Sequence, residues 1–175
     1  MSKLHEIYLE NDKENFTFGS ILAETEELFI IETLDEKGQF DSIQLRPKAN
    51  VGGFVSSSKY LELMEFNRRN HIENDIYNPL GLEINDENYS NLENAFHMMR
   101  DSKDIYTIVT DTYEEIYIGY IESVFEKEIF MHAINFEDFT QTEVSINKDE
   151  IVAIDILSYE NALLQKFLNK SREVE

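Results

Sequence analysis

The stretch Phe16-Thr17-Phe18-Gly19-Ser20-Ile21 decides how this chain folds, because it returns about 100 residues later as Ile116-Tyr117-Ile118-Gly119-Tyr120-Ile121. The segments ahead of the two copies also correspond, with Ile7-Tyr8-Leu9 before the first and Ile105-Tyr106-Thr107 before the second. Short repeats of about 20 to 50 residues stack into open arrays. A longer repeat therefore predicts one compact folding unit that occurs twice.

The first unit carries the alternation of apolar and polar residues that is typical of half-buried strands, for example at residues 16–18 and 43–45. The segment Asp35–Gly38 predicts a turn between two strands, because its glycine adopts positive φ at little cost. Pro47 predicts a strand end, since proline has no N–H for a sheet ladder. Residues 51–55 predict a short closing strand. The first unit is thus expected to contain five strands.

Three helices are predicted from serine caps that precede apolar residues at helical spacing. The first follows Ser56-Ser57-Ser58 and ends near Asn67 to Asn70, and the last follows Ser158. A further helix is expected from about Asn91 to Ser102, with Ser90 as its cap and Glu93 as the capping-box partner. We expect that helix to lie across the mouth of the second unit.

These elements predict a mainly β protein with helices, in the α+β class. The expected architecture is two tandem small five-stranded barrels, each followed by a C-terminal helix, with an additional helix preceding the second barrel. The first barrel and its helix occupy residues 1–70, a connector occupies 71–90, and the second barrel with its two helices occupies 91–175. Gly19 and Gly119 are expected where the second strand of each barrel bends.

The second unit also carries an ordered set of motifs: Gly119-Tyr120-Ile121, Glu126-Lys127-Glu128, Ile129 to His132, Ile151-Val152-Ala153-Ile154 and Ser158-Tyr159. In this order the chain resembles the Sm-like small barrel, and more narrowly uncharacterised bacterial proteins that carry one or two such units. The resemblance implies strongly curved five-stranded barrels and, as many Sm-like proteins do, RNA binding. The loops expected after the third strands lack a basic, nucleotide-cradling motif, so we do not carry that function over.

The charge of the chain restricts its partners. The net charge is -21, and residues 105–175 are the most acidic part, with 15 acidic and 5 basic residues. Such a surface repels a phosphate backbone, which argues against nucleic acid as a partner. It attracts a basic protein and speeds the encounter. The alternative is that the carboxylates only keep the protein soluble.

Composition also bears on location and assembly. There is no cysteine, which excludes disulfides and thiolate chemistry, and no apolar segment approaches the roughly 20 residues that span a bilayer. The first six residues do not resemble a secretory leader. We therefore expect a cytoplasmic protein with no membrane partner, and homo-oligomerisation through an exposed strand edge is an open alternative.

The motifs of enzymes and of common cofactor sites are missing from the sequence, so we expect no enzyme, no cofactor and no metal. The four histidines, His5, His71, His97 and His132, are scattered along the chain. The acids and amides between Glu83 and Asn88 of the connector offer at most a weak divalent-ion site, and we expect none there.

The best candidate for a partner-binding surface is a group of tyrosines and acids in the opening hairpin of the second unit. It comprises Tyr113, Glu114, Glu115, Tyr117, Tyr120 and Glu122. Aromatic residues supply binding area and carboxylates orient a basic partner, so the group suits a non-enzymatic interaction module. An inhibitor or immunity-type protein for a basic partner is one form of it. The structural alternative is that the tyrosine rings only cover the barrel surface, with their hydroxyls in water.

The runner-up function is an Sm-like RNA-binding or regulatory protein. It requires the scarce basic residues to gather into one patch, either Arg46 with Lys48 or Arg68 with Arg69.

Overall fold

The computed structural model describes residues 2–84, 89–111 and 115–172, which form ten strands and three α-helices. The strands are β1 (Leu4–Leu9), β2 (Asp12–Glu24), β3 (Leu28–Leu34), β4 (Phe40–Pro47), β5 (Val51–Val55), β6 (Tyr106–Thr110), β7 (Ile116–Val124), β8 (Glu128–Ile134), β9 (Gln141–Asn147) and β10 (Ile151–Ser158). The helices are α1 (Lys59–Glu73), α2 (Leu92–Ser102) and α3 (Tyr159–Arg172). Within the described ranges, no helix is both long and apolar enough to cross a membrane.

All ten strands belong to one antiparallel sheet in the order β5-β1-β2-β3-β4-β10-β6-β7-β8-β9. The two halves of the sheet have the same internal order. In each half the fifth strand lies beside the first, and the second, third and fourth strands follow in sequence. The expected mainly β fold with helices is therefore confirmed. The two separate closed barrels are not confirmed, because β4 pairs with β10 and joins the halves into one continuous sheet that is not closed.

The halves also share irregularities at corresponding places. The register of β2 against β3 shifts after Ile21, and that of β7 against β8 shifts after Ile121, each two residues beyond the repeated glycine. Such bulges bend a strand and increase its twist. A short 3₁₀ turn, Lys48–Asn50 or Lys148–Glu150, precedes the last strand of each half. The bends are therefore built by equivalent residues in the two copies.

A buried polar network crosses the junction between the halves. The hydroxyls of Thr33 and Ser42 lie 2.7 Å apart, and Ser42 donates to Asp155 of β10 at 3.0 Å. Burial is the main cause that raises the pKa of Asp155 to about 6, against the hydrogen bonds from Gln44 and Ser42. The strand pairing that unites the halves thus places a half-buried carboxyl group between them.

Two of the predicted helix caps are confirmed. Ser58 accepts a hydrogen bond from the Leu61 N–H at 3.0 Å, and Ser158 accepts one from the Asn161 N–H at 3.0 Å. Helix α1 continues to Glu73 and so ends later than the predicted Asn67 to Asn70.

The predicted cap of α2 is wrong by one residue. Asn91 has extended backbone at φ -155° and accepts from the Asn94 N–H at 2.9 Å, so the helix begins at Leu92. Ser90 instead accepts from the Asn94 side chain, and Glu93 pairs with His97 and Lys148 instead of closing a capping box.

The main core extends through both halves, because residues of the first half, such as Ile30 and Leu45, pack in one cluster with Ile108 and Ile154 of the second. Helix α2 adds Ala95, Phe96 and Met99 to this cluster and lies against β7. A smaller cluster under α1 contains Leu61 and Met64. The predicted connector packs against the main core through Tyr77, Leu82, Ile84 and Tyr89.

Candidate functional site

The described members of the predicted tyrosine and acid group lie in two different places; Tyr113 and Glu114 are outside the described residues. Tyr117 packs against the main core and its hydroxyl donates to the Glu115 carboxylate. Tyr120 and Glu122 instead line a groove between β7, β8 and the helices α2 and α3. The separation follows from strand geometry, since residues an odd number apart point to opposite faces of a strand.

The groove at Tyr120 has a volume of about 840 Å³ and contains charges of both signs. Arg100 and Lys103 line it together with Glu122, which lies 3.5 Å from His132. The Tyr120 hydroxyl is buried without a hydrogen-bond partner among the described residues. The groove is therefore a polar cleft of mixed charge, and the partner-binding role of the group stays a prediction.

The basic residues of the runner-up function do not gather on the surface. Arg46 and Arg68 are only 4% and 3% exposed, and Arg68 pairs with Glu65 at 2.8 Å. Lys48 lies over the ring of Phe29 and pairs with Glu24. These side chains are committed to the fold, so the structure offers no support for an RNA-binding patch at these positions.

The surface feature that does suit a partner is a group of exposed apolar side chains, here called the phenylalanine cluster. It consists of Phe136 and Phe139 in the turn between β8 and β9, and of Leu163 and Phe167 on α3. The ring centroids of Phe139 and Phe167 lie 5.1 Å apart, and those of Phe136 and Phe139 lie 6.4 Å apart. The four side chains are 40% to 56% exposed. The three rings therefore lie against one another, and Leu163, one helical turn before Phe167, is a further exposed apolar side chain of the cluster.

Phe139 has left-handed backbone, with φ of 58°. This region is costly for a bulky residue and is normally left to glycine or asparagine. The corresponding turn of the first half places Gly38 at its positive-φ position, with φ of 85°. In both turns this residue directly precedes the one that closes the loop, Gln39 or Thr140. The second half thus holds a phenylalanine where the first half uses glycine.

The same turn carries two carboxylates, Glu137 and Asp138. Hydrogen bonds from the Thr140 hydroxyl and N–H lower the pKa of Asp138, so this group is ionised at neutral pH. Helix α3 also carries two lysines on either side of Phe167 in the sequence, Lys166 and Lys170. The attraction of the cluster for a basic partner therefore has to come from the turn carboxylates and from the net charge of -21.

The cluster could not be predicted directly, because its turn residues and its helix residues are far apart in the chain. One signal was nevertheless present in the repeat, since Phe139 stands in the second turn at the position that Gly38 holds in the first. Among the residues that the structure describes, no three metal-ligating side chains come together.

No family model, no curated protein and no solved structure matches this chain.

Proposed function

We propose that this protein is a non-enzymatic interaction module that binds a basic protein through the phenylalanine cluster. The observation that carries the proposal is the left-handed backbone of Phe139, whose ring is 40% exposed. A strained residue in a surface turn costs on the order of 1 to 2 kcal/mol. That ring adds little to the core, so binding a partner is the function that accounts for the cost.

Physical chemistry supports the choice of partner. Exposed aromatic side chains contribute most of the binding energy in many protein interfaces, and they act best when a partner covers them. Glu137 and Asp138 stand between Phe136 and Phe139 in the sequence and place negative charge beside the rings. The net charge steers a cationic partner toward the molecule. An inhibitor or immunity-type protein for a basic partner, acting in the cytoplasm, fits this description.

We also propose that each half of the sheet is an Sm-like unit and that the chain is a tandem pair of them. Support comes from the identical strand order of the halves, from the bulges that follow Gly19 and Gly119, and from the helix that follows the last strand of each half.

The proposal predicts that Phe139→Gly abolishes binding while the fold persists. Glycine relieves the backbone strain but removes the ring contact with Phe167, so stability is expected to change by less than about 1 kcal/mol. The matched control is Phe125→Ala, because Phe125 is another exposed phenylalanine, 54% exposed, in the turn between β7 and β8. Thermal unfolding of each variant checks the fold.

Binding is tested by affinity capture with the wild-type protein, Phe139→Gly and Phe125→Ala, at low and at high salt. At low salt, a partner that binds the cluster should be captured by the wild type and by Phe125→Ala but not by Phe139→Gly. At high salt, none of the three proteins should capture it. The captured protein is then purified and titrated against the same three proteins. A set of captured proteins without a basic member, or one that Phe139→Gly leaves unchanged, would contradict the proposal.

A further inference from the structure

A small cavity lies where the first half of the sheet meets the second. It has a volume of about 260 Å³, and its walls come from β1, β2, β4, β6 and β10. Most of the wall is apolar, formed by Ile7, Leu9, Val109, Val152 and Ala153. A second, outer cavity of about 440 Å³ shares Leu9, Val109 and Val152 with it. The shared residues show that the two cavities adjoin each other.

The inner cavity contains a buried cation, Arg46, which is only 4% exposed. Its Nε donates to the Gln44 side chain at 2.9 Å, and its Nη2 donates to the Thr17 hydroxyl at 2.7 Å. Its Nη1 has no hydrogen-bond acceptor among the described residues. Both acceptors are neutral, whereas a buried charge is normally paired with a charge of opposite sign.

Arg68 is a second buried arginine; its Nε also lacks an acceptor among the described residues, but unlike Arg46 it is paired with a carboxylate. It is 3% exposed, and its Nη2 bonds both oxygens of Glu65, at 3.0 and 2.8 Å. Asp155 attracts the Arg46 guanidinium through space, but no hydrogen bond joins the two among the described residues. Arg46 is therefore a buried cation whose direct ionic partner is not supplied by the described part of the chain.

We propose that this cavity binds a small organic monocarboxylate, whose carboxylate pairs with Arg46 and whose hydrocarbon part lies against the apolar wall. A guanidinium suits a carboxylate because it gives charge-assisted hydrogen bonds. In Arg46, Nε and Nη2 already donate to Gln44 and Thr17, so the carboxylate would pair through the N–H groups that these two residues leave free. The inner volume is below the range of about 300–1,000 Å³ that is typical of drug-sized ligands, so the ligand is small.

The entrance disfavours ligands with several negative charges. Asp12 lines both cavities, and Glu10 lines the outer one. The Asp12 carboxylate is fixed by hydrogen bonds from the N–H groups of Glu14 and Asn15, at 2.9 and 3.0 Å. A phosphate dianion or a nucleic acid meets these negative charges before it reaches Arg46, whereas a monocarboxylate with an apolar tail meets less repulsion.

The test uses the full chain and three probes, namely hexanoate, its neutral analogue hexanamide, and inorganic phosphate. We expect hexanoate to raise the melting temperature and to bind about tenfold tighter than hexanamide, because the charge-assisted hydrogen bond is lost in the amide. Phosphate is expected to bind more weakly than hexanoate. Equal binding of hexanoate and hexanamide, tighter binding of phosphate, or no binding of hexanoate at millimolar concentration would overturn the proposal.

Two variants locate the site. Arg46→Met is expected to lose hexanoate binding, since it removes the cation and keeps an apolar side chain of similar length. Arg69→Met, at an exposed position of α1, is expected to bind like the wild type. Retained binding in Arg46→Met would refute the assignment. If that variant fails to fold, an NMR titration of the wild type with hexanoate replaces it. Hexanoate should shift the side-chain Nε–H resonance of Arg46 and leave that of Arg69 unchanged, and an unshifted Arg46 resonance would refute the assignment.

Discussion

Replacing Gly119 by valine is expected to destabilise the protein by about 3 kcal/mol and to lower its melting temperature by about 6 to 12 °C. A Cβ atom on Gly119 would overlap the carbonyl group of His132 on the neighbouring strand β8. The carbonyl group belongs to the backbone of β8, which is paired on both sides, so it cannot turn aside as a side chain could. The strands would have to separate, and their hydrogen bonds would weaken.

The same substitution tests whether a clash or strand propensity decides the outcome. Valine favours strands, so propensity alone predicts stabilisation. Gly119→Ala is expected to show most of the loss, because the overlap already begins at Cβ. Ser123→Val, later in the same strand, is the control and should cost much less. A Gly119→Val protein that melts with the wild type would show that the sheet is not packed as described.

Asp155→Asn is expected to stabilise the protein at neutral and alkaline pH. The folded-state pKa of Asp155 is raised from 3.8 to about 6, so the folded protein holds its proton more tightly than the unfolded chain does. The contribution of Asp155 to the free energy of unfolding is therefore fully present below pH 3.8 and is lost as the pH rises through about 6. The loss amounts to about 3 kcal/mol, since each pKa unit is worth about 1.4 kcal/mol. Asparagine stays neutral and avoids it.

Denaturant unfolding of the wild type and Asp155→Asn between pH 4 and pH 8 measures this effect. The two curves should lie close together at the acid end and separate as the pH increases, with the variant the more stable. Burial also raises the pKa of Asp41, which leaves the variant some dependence of the same sign. A variant that is less stable than the wild type at pH 8 would mean that the ionised carboxylate stabilises the junction.

The individual strands and two of the helix caps could be predicted because they depend on local sequence. Alternation, the turn at Asp35–Gly38 and Pro47 together predicted five strands in the first half, and Ser58 and Ser158 cap α1 and α3 as expected. The pairing of β4 with β10 could not be predicted, since alternation shows which face of a strand is buried but not which strand lies beside its edge. The continuous sheet is a consequence of that one pairing.

The candidate site was less accessible to sequence reasoning. The odd spacing of Tyr117 and Tyr120 already indicates opposite faces of a strand, and that signal was overlooked. The strain at Phe139 was hidden, because positive φ is not expected of phenylalanine. The runner-up function requires Arg46 to contribute to a basic patch, whereas the fold encloses it beside a cavity. Its burial could not be predicted, because charged residues are seldom buried.

The most direct test of the proposed function is a titration of the purified basic partner into the wild-type protein and into Phe139→Gly. The wild type should bind with an affinity that falls as salt rises, and Phe139→Gly should bind at least tenfold more weakly although its thermal stability is nearly unchanged. Equal affinity of the two proteins would contradict the proposed function, because the strained phenylalanine would then have no part in binding.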